Sequence, residues 1–210
     1  MLQARGVTFG YSASQPLLTD WSAEFLPGSM TALTGASGRG KSTLLYLLGL
    51  MLSPDAGSVL VDGVAASDGG DAARARLRAH RFGFVFQDAA LDSSRTVLDN
   101  VTEVALYRGQ NRSALEPAAR ELLERFGVDV PPERKPGQVS GGQAQRIAMC
   151  RALLCNPGIV LAYEPTGNLD PVTAQLVVNA LREHADSGAT VVIVTHTPEV
   201  AEACDSEIVL

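Results

Sequence analysis

The string GASGRGKS occupies residues 35–42 and constrains the fold more than any other part of the chain. Its glycines allow backbone N–H groups to close around phosphate oxygens, while Lys41 supplies a cation and Ser42 a hydroxyl. An apolar run at 30–33 predicts a strand that enters the loop, and an apolar run at 43–50 predicts a buried helix that leaves it. This order predicts a phosphate-binding loop rather than an ordinary glycine-rich turn.

A second glycine-rich string, VSGGQ at 139–143, precedes a run in which apolar and basic residues recur at helical spacing. Ser140 stands at the N-cap position, and Gln143 follows three residues later as a capping-box partner. One interpretation is a well-capped helix and nothing more. The other is a second anion site, because a helix N-terminus offers N–H groups and the serine adds a hydroxyl.

A third string, AYEPTGNLD at 162–170, places an acidic residue at the end of an apolar run. With the three strings in this order, the chain resembles the ATP-binding cassette (ABC) ATPases over nearly all of its length. The resemblance implies an α/β P-loop NTPase fold with a mainly parallel core sheet, an N-terminal antiparallel β lobe and a helical lobe. It also implies ATP and Mg²⁺ as cofactors. EPTGNLD at 164–170 and GFVFQ at 83–87 look most similar to the lipoprotein-releasing, macrolide-exporting and cell-division branch.

The same resemblance implies a role for each matching residue. The catalytic residues would be Glu164, His196 and Gln87. The nucleotide-binding residues would be Tyr11, Gly35, Ala36, Ser37, Gly38, Arg39, Gly40, Lys41, Ser42, Thr43, Ser140, Gly141, Gly142, Gln143 and Asp170. Ser42 and Gln87 would contact the metal, and residues 168–170 would form the D-loop.

Three of these positions also have a purely structural interpretation. Tyr11 follows a short strand-like stretch, so it is either an edge aromatic or an exposed ring on which adenine stacks. Gln87 ends an apolar run and is either a polar strand end or the contact to Mg²⁺ and water. His196 follows a buried strand and is either solvated or placed to reach a γ-phosphate at the carboxyl edge of the sheet.

Glu164 ends the predicted strand 159–163 and would orient or deprotonate the attacking water. The residue before it departs from the family pattern, since Tyr163 stands where the family has the aspartate that holds Mg²⁺. A phenol with a reference pKa of about 10 carries no charge near neutral pH. We therefore expect nucleotide binding with impaired hydrolysis, whether the tyrosine is natural or introduced. Thr197 is a second departure, because the family has aspartate after the histidine.

Composition limits the size of the core and the kinds of partner that the chain can have. The 210 residues are 46% hydrophobic and can bury one sizeable core. A net charge of −6 without a basic run argues against nucleic acid as the main partner. No apolar stretch has the length of a membrane span and Met1 begins no signal peptide, so we expect no direct membrane insertion. The three cysteines have no metal-ligand spacing and predict reduced structural thiols.

We expect a single ABC ATPase domain over residues 1–210. Within it, 1–87 would form the nucleotide-binding core with the β lobe, 88–157 the helical lobe with the signature string, and 158–210 the return to the core. A proline-rich stretch at 131–137 predicts a linker, and 57–63 predicts a strand with a tight turn in the β lobe. The family arrangement implies a head-to-tail homodimer with ATP in the interface.

The first functional hypothesis is the ATPase subunit of a membrane ABC system, located in the cytoplasm on the inner face of the membrane through separate integral permease subunits. The second is an ATP-binding clamp or regulator of a membrane complex with little hydrolysis. The third is a soluble ABC ATPase, although the coiled-coil insertion of the repair type and the second cassette of the translation type are absent from this sequence.

Overall fold

The computed structural model describes residues 1–12, 15–167 and 169–210. Nine strands and eight α-helices alternate along this part of the chain. The strands are β1 (Leu2–Phe9), β2 (Leu18–Phe25), β3 (Ser29–Thr34), β4 (Ala56–Val61), β5 (Val64–Ala65), β6 (Phe82–Val85), β7 (Ile159–Tyr163), β8 (Thr190–Val194) and β9 (Ser206–Val209). The helices are α1 (Lys41–Leu48), α2 (Asp71–Arg81), α3 (Val97–Thr102), α4 (Val104–Arg108), α5 (Arg112–Arg125), α6 (Gly141–Leu153), α7 (Pro171–Asp186) and α8 (Pro198–Glu202).

Five strands form a parallel sheet in the order β6-β7-β8-β3-β9. Because they are parallel, their carboxyl ends meet at one edge, and this is the edge where open α/β sheets bind ligands. The phosphate loop follows β3 there, Glu164 follows β7 and His196 lies just past β8. The predicted strand at 159–163 coincides with β7.

The other four strands form an antiparallel sheet in the order β2-β1-β4-β5. A two-residue turn joins β4 to β5, and both of its residues, Asp62 and Gly63, have positive φ, of 51° and 81°. Two positive φ angles are what a tight hairpin turn requires, since they match the twist of the flanking strands. The predicted β lobe with its strand and tight turn is therefore present.

Successive side chains of β7 point to opposite faces of the parallel sheet and pack into two separate apolar clusters. Ile159 and Leu161 pack with the leucines of α1 and with the antiparallel sheet. Val160 and Ala162 point to the opposite face, where they pack with α3, α5, α6 and α7. The parallel sheet is thus covered on both faces at β7 and β8, which explains why these two central strands are nearly continuous apolar runs.

The helical region differs from the sequence prediction in one place. The spacing of Val97, Val101, Val104 and Ala105 predicts one helix face, but the structure divides these residues between α3 and α4, with Glu103 between them. The predicted linker at 131–137 packs against the start of α3, where the N–H of Val97 donates to Arg134 O at 2.7 Å and that of Leu98 donates to Pro132 O at 2.9 Å. These bonds satisfy two of the backbone donors at the start of α3.

No helix in the described ranges is long and apolar enough to span a bilayer.

Candidate nucleotide site

The phosphate loop is shaped by three glycines with positive φ: Gly35 (127°), Gly38 (82°) and Gly40 (87°). A Cβ on Gly35 would come 2.5 Å from Leu210 O, and one on Gly40 would come 2.8 Å from the side chain of Leu17. At Gly38, by contrast, no atom of the residues that the structure describes lies within 4 Å of the added Cβ. Conformation and close packing thus require glycine at two positions, while Gly38 leaves the mouth of the loop open to a ligand.

Lys41 lies across this loop at the first residue of α1. Its Nζ donates to Gly35 O at 2.8 Å and to Ala36 O at 2.9 Å. The residue before it, Gly40, is the N-cap and has no side chain to satisfy the first N–H groups of the helix. A cation and helix N–H donors therefore converge on the predicted phosphate position.

Tyr11 provides an aromatic surface beside the loop. Its side chain is exposed (73% for the residue), and its hydroxyl lies 3.2 Å from Thr43 Oγ1 in α1. The ring meets Phe9 edge to face, with centroids 5.2 Å apart. Both sequence interpretations thus have support, because one edge packs on the strand while the ring remains accessible to a base. Residues 13–14 lie outside the described residues.

Glu164 and His196 form a pair at the carboxyl edge of the sheet. Glu164 is buried, whereas the His196 side chain is 73% exposed, and Glu164 Oε1 lies 2.7 Å from His196 Nδ1. The N–H of Glu164 donates to Val194 O at 2.9 Å, and the residue has a φ of 46°, a left-handed conformation that costs about 1–3 kcal/mol. The sheet therefore holds this carboxylate in one fixed, strained position.

The second oxygen of this carboxylate, Glu164 Oε2, is buried and has no hydrogen-bond partner among the described residues. A buried polar atom left without a partner costs about 1–3 kcal/mol, so it indicates a place for a ligand atom or water. Thr197, the second departure from the family pattern, is supported locally, since its N–H donates to Thr195 Oγ1 at 3.1 Å.

Tyr163 ends β7 on the same face as Leu161, which is the face that packs against α1. Its ring is half-buried and packs on the apolar cluster of α1 and the antiparallel sheet. The side chain that replaces the expected carboxylate therefore lies on the phosphate-loop side of the sheet.

The signature string begins α6, as predicted. Ser140 caps the helix, with Gln143 N donating to Ser140 Oγ at 3.2 Å and Ser140 N donating to Gln143 Oε1 at 2.9 Å. Among the described residues, a Cβ on Gly141 would meet no atom within 4 Å, and one on Gly142 would meet only Leu169 Cδ2, at 3.6 Å. Packing within the chain therefore does not require either glycine. Their backbone surface is free for close approach by another molecule.

The structure does not bring the signature and the phosphate loop together within one chain. The helix α6 packs on β6, which is three strand positions from β3, or about 14 Å at the usual strand spacing. Among the described residues, no hydrogen bond connects 140–143 to 35–43. The two anion sites are thus separate half-sites.

Asp170 caps α7 rather than facing open space. Its Oδ1 accepts from Val172 N at 3.1 Å and Thr173 N at 3.0 Å, and its Oδ2 accepts from Thr173 Oγ1 at 2.6 Å. These bonds, those from Thr173 foremost, lower the pKa of the Asp170 carboxyl. Arg146 of α6 donates to the same threonine oxygen at 3.3 Å, which links the signature helix to the start of α7. Asn168, predicted for the D-loop, lies outside the described residues.

The segment around Gln87 is held by two α6 residues that sequence reasoning missed. Gln145, which is buried, donates to Phe86 O at 3.0 Å. Arg151 donates to Ala89 O and to Ala90 O, each at 2.8 Å, and these two alanines have positive φ. Burial lowers the pKa of Arg151. The only signal in the sequence was the presence of polar residues inside an otherwise apolar helix.

Replacing Arg151 with methionine should lower the free energy of unfolding by about 1–3 kcal/mol, because the carbonyl of buried Ala89 then loses its donor. Equilibrium urea unfolding measures the change. Arg120→Met is the matched control, since Arg120 is exposed on α5. Equal unfolding free energies for the two variants would contradict a stabilising role for the Arg151 contacts.

The residues present fit a nucleotide but fit Mg²⁺ poorly. The loop glycines, Lys41 and the start of α1 match the charge of phosphates. For the metal, the chain offers the hydroxyl of Ser42 and the amide of Gln87, both neutral, whereas Mg²⁺ prefers carboxylate oxygens. The described residues contain no group of three His, Cys, Asp or Glu placed to hold a metal. Tyr163 adds no charge to this set, whereas the family resemblance implies a carboxylate at its position.

Comparison with known proteins supports the nucleotide assignment. The ABC transporter family model matches residues 18–167. Over 193 residues the chain is 45% identical to the lipoprotein-releasing system ATP-binding protein LolD of Bordetella pertussis, a match that covers 91% of this chain and 84% of LolD. Over 204 residues it is 42% identical to the macrolide export ATP-binding/permease protein MacB 1/2 of Paracoccus denitrificans, covering 96% of this chain but only 30% of MacB.

The fold agrees with solved structures of the same kind. The dimeric structure of MJ0796, a bacterial ABC transporter cassette, superposes with a TM-score of 0.91 at 32% identity, and the match covers 100% of this chain and 94% of that one. A post-hydrolysis dimer of MJ0796 bound to ADP and Pi gives a TM-score of 0.91 at 31% identity. The predicted fold class and the predicted branch are confirmed. The chain therefore belongs to the ABC transporter family, as an ATP-binding cassette of the ATPase component.

Proposed function

We propose that two copies of this chain close head to tail around ATP and thereby drive separate permease subunits in a membrane. The observation that carries the proposal is the pair of half-sites. One is a complete phosphate loop, and the other is a glycine-rich signature where, among the described residues, no atom lies within 4 Å of a Cβ added to Gly141. Dimeric structures of MJ0796 and the name of LolD, an ATP-binding protein of a releasing system, give further support.

In each proposed site, one copy supplies the phosphate loop and Tyr11, and the other supplies residues 140–143. Lys41 would turn from the carbonyls of Gly35 and Ala36 to the phosphates, and Ser42, with Gln87, would contact the metal that accompanies the nucleotide. The N–H groups of the second copy's α6 would meet the γ-phosphate. ATP then joins the two copies, so that nucleotide binding and dimerisation are linked.

Glu164 is the proposed general base. Its unpartnered Oε2 is where an attacking water would be oriented, while Oε1 is held by His196. The exposed imidazole of His196 would extend to the γ-phosphate from the same edge of the sheet. Glu164 and His196 are thus the residues through which the chain would contribute to hydrolysis. They would place the attacking water and accept its proton.

Tyr163 supports a second candidate function. Because the phenol replaces a carboxylate that would hold Mg²⁺, the chain would bind ATP and hydrolyse it slowly. A cassette of that kind acts as an ATP-dependent clamp on a membrane complex rather than as a fast motor. The clamp and the motor share the same dimer and differ in turnover rate, which a steady-state ATPase assay measures.

The permease would dock in the cleft near Gln87. This proposal places the chain in the cytoplasm at the inner membrane surface, held there by protein rather than by lipid. The lobe boundaries that we propose for this arrangement are 1–87, 88–157 and 158–210. With the Gln87 segment bonded to α6 through Gln145 and Arg151, movement at the cleft would reach the signature end of that helix.

We expect the chain carrying Glu164→Gln to dimerise with ATP and Mg²⁺ and to remain monomeric with ADP, because the change blocks turnover and leaves the half-sites intact. Light scattering after gel filtration measures the mass. In the same background Gly141→Asp should abolish the dimer, since it sets a carboxylate against the γ-phosphate at a position where the fold has room.

The matched control is Gly70→Asp at the start of α2, where the fold also has room and φ is −59°. It should dimerise as the parent does. A monomer at every ATP concentration in the Glu164→Gln protein, with ATP bound, would refute the proposed interface.

A further inference from the structure

Tyr163 lies beside the helix that follows the phosphate loop. It is the last residue of β7 and is paired in register with Val194, the last residue of β8. Helix α1 packs on both of these strands, and it begins at the carboxyl edge of the sheet, directly after the loop. The half-buried Tyr163 ring packs on the apolar cluster that includes α1. The ring is therefore held against α1 at the edge of the sheet where phosphate would bind.

The hydroxyl of Tyr163 has no hydrogen-bond partner among the described residues. It is also not one of the buried side-chain atoms that lack a partner, so its oxygen is open to solvent. The hydroxyl of Tyr11, by contrast, lies 3.2 Å from Thr43 Oγ1. A phenol hydroxyl can donate one hydrogen bond and can also accept. The donor of Tyr163 is thus available to a ligand.

The charges next to this hydroxyl are those of an anion site. Residues 35–43 contain no acidic side chain, and they supply the cations of Arg39 and Lys41 together with the first N–H groups of α1. Glu164 follows Tyr163 in the chain, but its Oε1 is engaged by His196 at 2.7 Å. A further neutral donor at the end of β7 would therefore add to a set of groups that already favours phosphate.

A phenol and a carboxylate behave differently toward a phosphate. A carboxylate only accepts hydrogen bonds, and it repels a phosphate unless a cation lies between the two. A neutral phenol can donate directly to a phosphate oxygen, which gives a charge-assisted hydrogen bond. Tyrosine at position 163 thus removes a ligand for a divalent cation and also removes the repulsion that makes such a cation necessary.

We propose that Tyr163 is a nucleotide-binding residue, whose hydroxyl donates a hydrogen bond to a β- or γ-phosphate oxygen, so that this chain binds ATP without a divalent cation. The inference rests on the proposed function, because it requires ATP in the loop at 35–42. It adds a phosphate contact and explains the poor fit of the site to Mg²⁺ as a different way of holding the nucleotide.

The test compares the parent chain with Tyr163→Phe, which keeps the ring and removes only the hydroxyl. Isothermal titration with ATP in EDTA should show about tenfold weaker binding by the variant, as expected when a charged acceptor loses a hydrogen bond. AMP, which lacks the β- and γ-phosphates, should bind both proteins equally in competition with ATP. Tyr163→Asp should bind ATP weakly in EDTA and recover affinity when Mg²⁺ is added.

Tyr107→Phe is the matched control, since Tyr107 is exposed on α4, and it should bind ATP as the parent does. Parental ATP affinity of Tyr163→Phe in EDTA, an equal loss of AMP binding, or a parent chain that needs Mg²⁺ to bind ATP would overturn the proposal. The ATP-dependent dimer is measured separately by light scattering. Loss of that dimer with a retained effect of the hydroxyl on ATP affinity would refute the proposed function and leave this inference standing.

Discussion

Replacing Tyr163 with aspartate should raise the steady-state ATPase rate by about two decades or more in the presence of Mg²⁺, since a well-held metal contributes several kcal/mol to the transition state. The side chain ends β7 on the face that packs against α1, so the new carboxylate would lie on the side of the phosphate loop. Titration of Mg²⁺ should show a dependence that the parent chain lacks.

The matched control for this change is Tyr163→Asn, which has the size of aspartate without its charge. Both variants lose the packing of the tyrosine ring on the apolar cluster and should unfold about 1–3 kcal/mol more easily. Only the aspartate should gain activity. A second measurement compares the ATP affinity in the presence of Mg²⁺ with that in the presence of EDTA. The ratio of these two affinities should be near one in the parent and in the asparagine variant. Equal activity and equal Mg²⁺ dependence in parent and aspartate variant would refute the argument.

The outcome also separates the two candidate functions. A parent chain with negligible turnover that still forms the ATP-dependent dimer behaves as a clamp. A parent chain with turnover close to that of Tyr163→Asp behaves as a motor and obtains its metal binding from the triphosphate, Ser42 and Gln87. In both cases the dimer test of Glu164→Gln stands independently, because it depends on the half-sites and not on the residue at the end of β7.

Parts of the site could be predicted from the sequence where the local backbone conformation itself requires particular residue types. The glycines of the phosphate loop are needed for positive φ and for contact, so their pattern is visible in the string itself. The capping box at Ser140 and Gln143 is equally local, and the structure contains it. β7 is a continuous apolar run because both of its faces are buried, and its bounds followed directly.

Features that depend on distant parts of the chain could not be found in this way. Arg151 acts on residues about 60 positions away, and nothing in its neighbourhood indicates that partner. Similarly, the fixed strained position of Glu164 depends on its backbone bond to Val194 in another strand.

Lys41→Ala should weaken ATP binding by about a hundredfold or more, because it removes the one lysine of the loop, and a charge-assisted contact to phosphate contributes about 1.5–3 kcal/mol for each hydrogen bond. The Nζ of Lys41 now bonds the carbonyls of Gly35 and Ala36, so it is already within the loop and needs only to turn toward a phosphate. Isothermal titration with ATP measures the affinity, and the ATP-induced rise in melting temperature should disappear in parallel.

Two controls separate charge from structure in this last experiment. Lys41→Met keeps much of the side-chain length without the ammonium, and it should lose ATP binding to nearly the same degree. Lys135→Ala removes the only other lysine of the chain, which is exposed ahead of the signature string, and it should bind ATP as the parent does. Because the carbonyls of Gly35 and Ala36 also lose a donor, thermal unfolding without nucleotide must confirm that both Lys41 variants are folded. If folded Lys41→Ala bound ATP with parental affinity, the loop at 35–42 would not be the phosphate site, and the head-to-tail dimer built on it would fall as well.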